Sequence, residues 1–261
     1  MLKNSLLAHW KNFLPPRAWV MGKLKSSSIP PAEESQPDEA FPTSETTLIT
    51  PPLQPEIQTQ PSPLSGVHPV QTPTEQLQKL SLELQSCQKC KLSQGRSHLV
   101  FGEGDPQARL VFIGEAPGEE EDLHGRPFIG KAGELLDRMI AAMGLSREEV
   151  YILHTVKCRP PGNRTPEPEE IAACSSALIT QLQCLHPQVI VALGKGAAQT
   201  LLQTEEPITQ LRGRFHSYQG VKLMPTYHPA YLLRNPASKR EVWWDLQEVA
   251  KELGLTLPPK K

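Results

Sequence analysis

The 261-residue sequence has no apolar run long enough to cross a bilayer, which takes about 20 residues as a helix. It also lacks the opening that directs secretion, because the hydrophobic residues of 1–25 are interrupted by His9, Lys11 and Asn12. Charge of one sign is not in excess. The net charge of −1 neither supports nor opposes a nucleic-acid partner, since a basic face can hide inside a neutral total. Cysteine is sparse and odd in number, at five, which excludes a dense paired disulfide scaffold. These absences lead us to expect a cytoplasmic, bacterial-type protein off the membrane, whose reduced thiols serve metal binding or catalysis before disulfides. Hydrophobic residues are also few for one globular unit, at 38%, while proline is abundant, with 27 residues. A folded part joined to an unfolded part accounts for both.

Residues 1–25 read as a short amphipathic helix or a mobile tail, carried by Leu6, Leu7, Trp10, Phe13 and Leu14 and stopped at Pro15-Pro16. Residues 26–74 are Pro-, Ser-, Thr-, Gln- and Glu-rich. Such a segment cannot bury enough apolar surface to offset the entropy of ordering, and is expected to be a disordered linker. The pattern changes over 75–258, where helical and strand periodicities alternate. "ARLVFIG", "EVYILH", "PQVIVALG" and "VKLMPTY" read as strands, and helices lie between and around them. That alternation predicts a three-layer α/β/α domain with a central, mainly parallel sheet. "GEAPGEEED", "KCRPPGNRTP" and "TYHPAYLLR" each follow a strand. They should gather at the carboxyl ends of the strands, where such sheets bind ligands.

Cys87 and Cys90 form a C-x2-C after the first helix, Cys158 closes a strand, and Cys174 lies on the next helix. Four thiolates suit a [4Fe–4S] cluster or a four-cysteine zinc site, and the single C-x2-C tilts the choice toward a cluster. Cys184 falls on an apolar helix face and reads as core. In the first loop, glycine and proline tighten the turn and leave backbone N–H groups free to grip an oxygen. Glu115 is placed to hold a polar group there, while Glu119 to Asp122 read as a solvated acidic face. Phe128, before a glycine turn, can stack on a flat ring. His228 follows a strand and is fixed by Pro229, so its imidazole can donate toward developing negative charge. Lys157, Arg159, Arg164, Arg212, Arg214, Arg234, Lys239 and Arg240 would make a basic rim for phosphates if they meet.

Taken together, "FGEGDPQARLVFIGEAPGEEED", "GRPFIGKAGELLDRM", "VKCRPPGNRTPEPEEIAAC" and "HPAYLLRNP" resemble, in order, the motifs of the family 4 (iron–sulfur) uracil-DNA glycosylases. The likeness runs from about Leu77 to Leu257. It implies a monomeric, monofunctional hydrolase of base excision repair that releases uracil from DNA and leaves an abasic site. It implies a structural [4Fe–4S] cluster on Cys87, Cys90, Cys158 and Cys174, and a target nucleotide flipped out of the duplex. Phe128 would stack on the uracil. Glu115 and the backbone of Ala116 and Gly118 would line the pocket, and His228 would stabilise the departing anion. The loop holding Tyr231 and Arg234 would enter the minor groove, with Arg159 and Arg164 also on the DNA side. A repair or replication partner for the N-terminal tail is a further expectation.

Ala116 stands where the best-known uracil-DNA glycosylases carry a water-orienting Asp, as it does in family 4. One position departs from family 4 itself. The strand before the third cysteine usually carries an Asn, as in "TNVVKC", and here His154 takes that place. An imidazole offers one bond at the base edge where an amide offers a donor and an acceptor. Looser reading of uracil, a shifted base preference and a non-catalytic DNA-binding module all follow as alternatives. A covalent uracil-trapping relative does not fit, because "KCRPPGNRTP" lacks the basic, histidine-bearing insertion of that group.

Overall fold

The computed structural model describes residues 71–259. The expectations for residues 1–25, and most of those for the linker, lie outside the described residues. The domain opens on a capping box. Thr72 Oγ1 accepts from the Glu75 N–H at 3.3 Å, and the Glu75 carboxylate accepts from the Thr72 N–H at 2.8 Å. Proline then occupies the first helical position, where no donor is missed. Helix α1 therefore starts at Pro73 and runs to Gln85, taking in Pro73 and Thr74 at the composition-defined end of the linker.

Six strands form one sheet: β1 (Glu103–Gly104), β2 (Leu110–Gly114), β3 (Tyr151–His154), β4 (Val189–Leu193), β5 (His216–Tyr218) and β6 (Val221–Thr226), in the order β1-β3-β2-β4-β6-β5. The four central strands are parallel, and the two short edge strands pair antiparallel. These edges, two and three residues long, are too short to show a period-2 pattern in the sequence. β2, β3 and β4 are buried at every residue, as strands covered on both faces must be. Leu110 and Phe112 face a core with α3 (Gly130–Ala142), α7 (Pro229–Arg234) and α8 (Lys239–Glu252). Val111 and Ile113 face a second core with α1, α4 (Pro168–Leu185), α5 (Gly194–Leu202) and α6 (Ile208–Leu211). Cys184 lies in that second core. The three-layer α/β/α reading holds.

Two segments read as loops are helical. Glu119–His124 forms α2, where the acidic run that reads as a solvated face instead suits the positive end of a helix dipole. Pro229–Arg234 forms α7 because Pro229 pre-sets the first turn and the His228 side chain caps it.

Candidate functional site

The parallel strands β2, β3 and β6 deliver three connections to one end of the sheet. Past their ends, the Thr155 N–H donates to Gly114 O at 2.9 Å and the Thr155 hydroxyl to Glu115 O at 2.5 Å. The Gly114–Gly118 turn is thereby held against β3. Phe128 joins the three connections. Its ring is 4.8 Å from the His154 ring with a 21° tilt, and 5.4 Å from the His228 ring with a 30° tilt. Phe128 is 2% exposed and adopts φ 49°, a left-handed backbone rare for an aromatic. Gly133 makes this possible, since a Cβ there would overlap the Phe128 backbone.

His228 has a defined hydrogen-bonding state. Its Nδ1 accepts from the Ala230 N–H at 3.1 Å, so the neutral ring carries its proton on Nε2. Burial first, and then the neighbouring His154, push its pKa down to about 4. His228 is half-buried, and its ring is neutral at pH 7 and acts as a donor through Nε2.

Glu115 follows β2 with its carboxyl against Gly196, where any Cβ would overlap it. Burial raises its pKa, opposed by a hydrogen bond from Thr165 and by the Lys195 charge. Glu121, which the sequence reading set aside with its acidic neighbours, is at the centre of the site. Its carboxylate accepts the N–H groups of Gly118 and Phe128, each at 2.5 Å, and stands 3.5 Å from His154 Nε2. Burial pulls the Glu121 carboxyl up, but the imidazole and the two amides outweigh it and hold it below the ordinary carboxylate value. The available signal was its place three residues after Gly118, the spacing at which a Glu reaches back to a helix start. The Gly118 amide expected to line the pocket is thus engaged by Glu121. The Asp122 carboxylate, by contrast, accepts from the Ser97 N–H and is structural.

Cys87, Cys90, Cys158 and Cys174 share one cluster with Leu84, Leu92, Val156 and Ala116. Burial raises the Cys158 and Cys174 thiols. Arg96, at 3.2 Å from Cys158 Sγ, opposes this at the first, and the Lys157 charge and backbone N–H at the second. Among the described residues no three His, Cys, Asp or Glu side chains are placed to hold a single metal ion. Lys157 is 1% exposed and donates to His154 O at 2.7 Å, which ties the thiol corner to the strand end that carries His154. Burial lowers its pKa to about 8, with the Cys174 and Cys158 thiolates pulling the other way. Neither Arg96 nor the Lys157 link is legible as a spacing in the sequence.

The basic residues divide. Arg234 is exposed on α7 beside Tyr231, which is 37% exposed and stacks on Tyr227 at 4.9 Å. Arg159 holds Asn163 at 2.7 Å and lies 3.6 Å from Glu119. Arg164 grips Glu170 through two bonds of 2.8 and 2.7 Å. Arg212 grips Asp245 in the same manner, at 3.1 and 2.8 Å, and lies over the Tyr227 ring. The last two are engaged in bracing the fold.

A family model described as the uracil DNA glycosylase superfamily matches residues 101–247. The chain is 46% identical to the type-4 uracil-DNA glycosylase of Thermotoga maritima over 170 residues, 64% of this chain and 88% of the relative. It is 44% identical to the type-4 enzyme of Saccharolobus solfataricus over 189 residues, 69% and 88% of the two chains. With the Archaeoglobus fulgidus type-4 enzyme the figure is 40% over 192 residues, 70% and 96%. The matched span carries β2, β3, β4 and β6 and the connections that meet at Phe128, and on this agreement of site, fold and relatives the chain belongs to the uracil DNA glycosylase superfamily, with its type-4 members.

Proposed function

We propose that this protein hydrolyses the N-glycosidic bond of uracil in DNA, leaving an abasic site. The observation that carries the proposal is His228, a neutral imidazole with Nδ1 tied to a backbone N–H and Nε2–H left to donate, set against a buried aromatic ring. Uracil leaves with the electron pair of the broken bond, and its charge collects on the ring oxygens. A donor fixed before the reaction stabilises that charge without reorganisation. The sugar becomes oxocarbenium-like. A water oxygen then bonds to C1′ while its proton goes to the departed uracil anion, and Glu115 sets a carboxyl group at the same end of the sheet. The nucleotide must be flipped to reach this depth, with Tyr231, Arg234 and Arg159 on the DNA side and Phe128 as the stacking surface. We take the working form to be a cytoplasmic monomer, and assign the segment that precedes the cap of α1 to a repair or replication partner.

Cys87, Cys90, Cys158 and Cys174 would hold a [4Fe–4S] cluster. The fit rests on the donors: four thiols share one corner, with the Arg96 guanidinium beside Cys158 and the Lys157 charge beside Cys174. The cluster's contribution is structural, pinning the segments around Arg159 and His154.

The test is alkaline cleavage of an oligonucleotide carrying one uracil, single-stranded and opposite G or A. The wild-type protein should cut, and His228→Ala should lower the rate about 10²- to 10³-fold. DNA binding without cleavage by folded, brown protein would move the assignment to a binding module.

A further inference from the structure

Glu121 and His154 form an arrangement that base release as described above does not use. His154 is 1% exposed, and neither ring nitrogen makes a hydrogen bond of good geometry, although buried polar atoms are normally satisfied. One nitrogen, Nε2, faces Glu121 Oε2 at 3.5 Å. That carboxylate is held in place by the N–H groups of Gly118 and Phe128. A carboxylate only accepts, so the nitrogen facing it carries the proton, and in the ring's neutral form the lone pair is then on Nδ1. This Nδ1 lies where Gly114 and the edge of Phe128 converge. A Cβ on Gly114 would meet it at 2.5 Å and Phe128 Cζ at 2.7 Å. His228 is held in the opposite tautomer. Two imidazoles against one aromatic ring therefore present one acceptor and one donor.

We propose that Glu121 is a positioning residue that keeps the His154 proton on Nε2, so that Nδ1 accepts the N3–H of uracil and rejects cytosine, whose N3 carries a lone pair. The inference rests on the uracil reading above, and deepens it by assigning the atom that tells the deaminated base from its parent. Glu121→Gln reverses the arrangement. Its single oxygen stays with a backbone N–H and its amide donates toward Nε2, which moves the imidazole proton to Nδ1 and makes that atom a donor.

The first measurement is ¹⁵N-resolved NMR on the full chain with labelled histidine, the His154 signals being assigned by their loss in His154→Asn. The wild type should show a protonated Nε2 and a bare Nδ1, and Glu121→Gln should move the proton. The second is the rate of release of uracil and of cytosine from matched oligonucleotides. Glu121→Gln should lower uracil release about 10- to 100-fold, the effect of one reversed hydrogen bond, and narrow the uracil-to-cytosine ratio. In a His154→Asn background, where an amide needs no tautomer, the same substitution should change uracil release less than about threefold. A wild-type His154 protonated on Nδ1 overturns the proposal outright. Equal losses in both backgrounds also overturn it, because Glu121 would then act only as a cap for Gly118 and Phe128. A protein with the expected tautomer that releases no uracil refutes the glycosylase reading instead, and leaves the Glu121–His154 pairing standing.

Discussion

The base end of the sheet and the thiol corner are each braced by an arginine–carboxylate pair, and the two pairs are built in opposite ways. In the corner, Arg164 holds Glu170 within the stretch that links Cys158 to Cys174. The two Arg164 bonds, helped by the Glu167 N–H and by Lys91, outweigh burial and drive the Glu170 pKa down to about 2. Beneath the base end, Arg212 holds Asp245, which also accepts from the Thr226 hydroxyl at 2.6 Å, two residues before His228. Here burial dominates the same kind of contacts, with Glu241 competing for the arginine, and the Asp245 pKa rises to about 6. The arginines explain the contrast: the Arg164 side chain is 34% exposed and that of Arg212 only 14%. A pair more open to water keeps its charges at little cost, whereas a more enclosed pair surrenders part of its attraction to desolvation. The corner's brace stabilises the fold, and the brace under the base end holds a shape at a cost in stability.

The strongest way to break this comparison is to remove the more enclosed arginine. Arg212→Met leaves Asp245 buried with a charge and only Thr226 to answer it. The expected loss is about 3–5 kcal/mol of stability, read as a fall in the urea midpoint. Because Arg212 also lies over Tyr227, beside His228, uracil release should fall with it.

The pH dependence separates the two braces without mutation. A carboxyl whose folded pKa is raised binds more protons folded than unfolded. Its contribution is complete below the unfolded value of 3.8 and is lost as pH rises through about 6. Asp245 therefore costs stability between about pH 4 and 6, on the order of 2–3 kcal/mol. Glu170 has the opposite sign. Its contribution is present above 4.5 and is lost as pH falls toward about 2. Denaturation of wild type and Asp245→Asn from pH 3 to 7 should show the wild type losing stability across 4 to 6 and the variant flat there. A variant that keeps the slope would place the titration elsewhere.

Lys157 is where the two regions meet, its ammonium on His154 O and its charge beside Cys158 and Cys174. Lys157→Met preserves bulk and removes the donor, so a buried carbonyl loses its partner at about 2 kcal/mol. Absorbance near 400 nm and uracil release should decline together. A loss of one alone would show that the regions are independent.

What the sequence made legible follows from range. Strands β2, β3 and β4 and the long helices show as local periodicity, and Cys87, Cys90, Phe128 and His228 stand out beside turns or in short motifs. Glu121 was hidden because four consecutive acids look alike until α2 turns it and Asp122 inward and two amides grip Glu121. Arg212 and Asp245 are 33 residues apart, and only the packing of α8 beneath β6 makes a pair of them. Arg164, six residues from Glu170, looked equally like a phosphate contact, and nothing local distinguishes an arginine that braces from one that is free.

That ambiguity yields the smallest expected effect. Arg164→Met removes the two bonds to Glu170, but Lys91 stands 4.0 Å away, the Glu167 N–H stays at 2.7 Å and water can enter where the guanidinium was. The fall in the urea midpoint should be small, as for a solvated pair, against the large fall expected for Arg212→Met. Salt sharpens the contrast. At 1 M salt, where charges are screened over about 3 Å, the deficit of Arg164→Met should shrink toward zero while that of Arg212→Met persists. If Arg164→Met instead leaves the urea midpoint unchanged but weakens duplex binding and flattens its salt dependence, Arg164 exchanges Glu170 for a phosphate when DNA arrives. The brace at the corner would then be a resting position for a DNA contact.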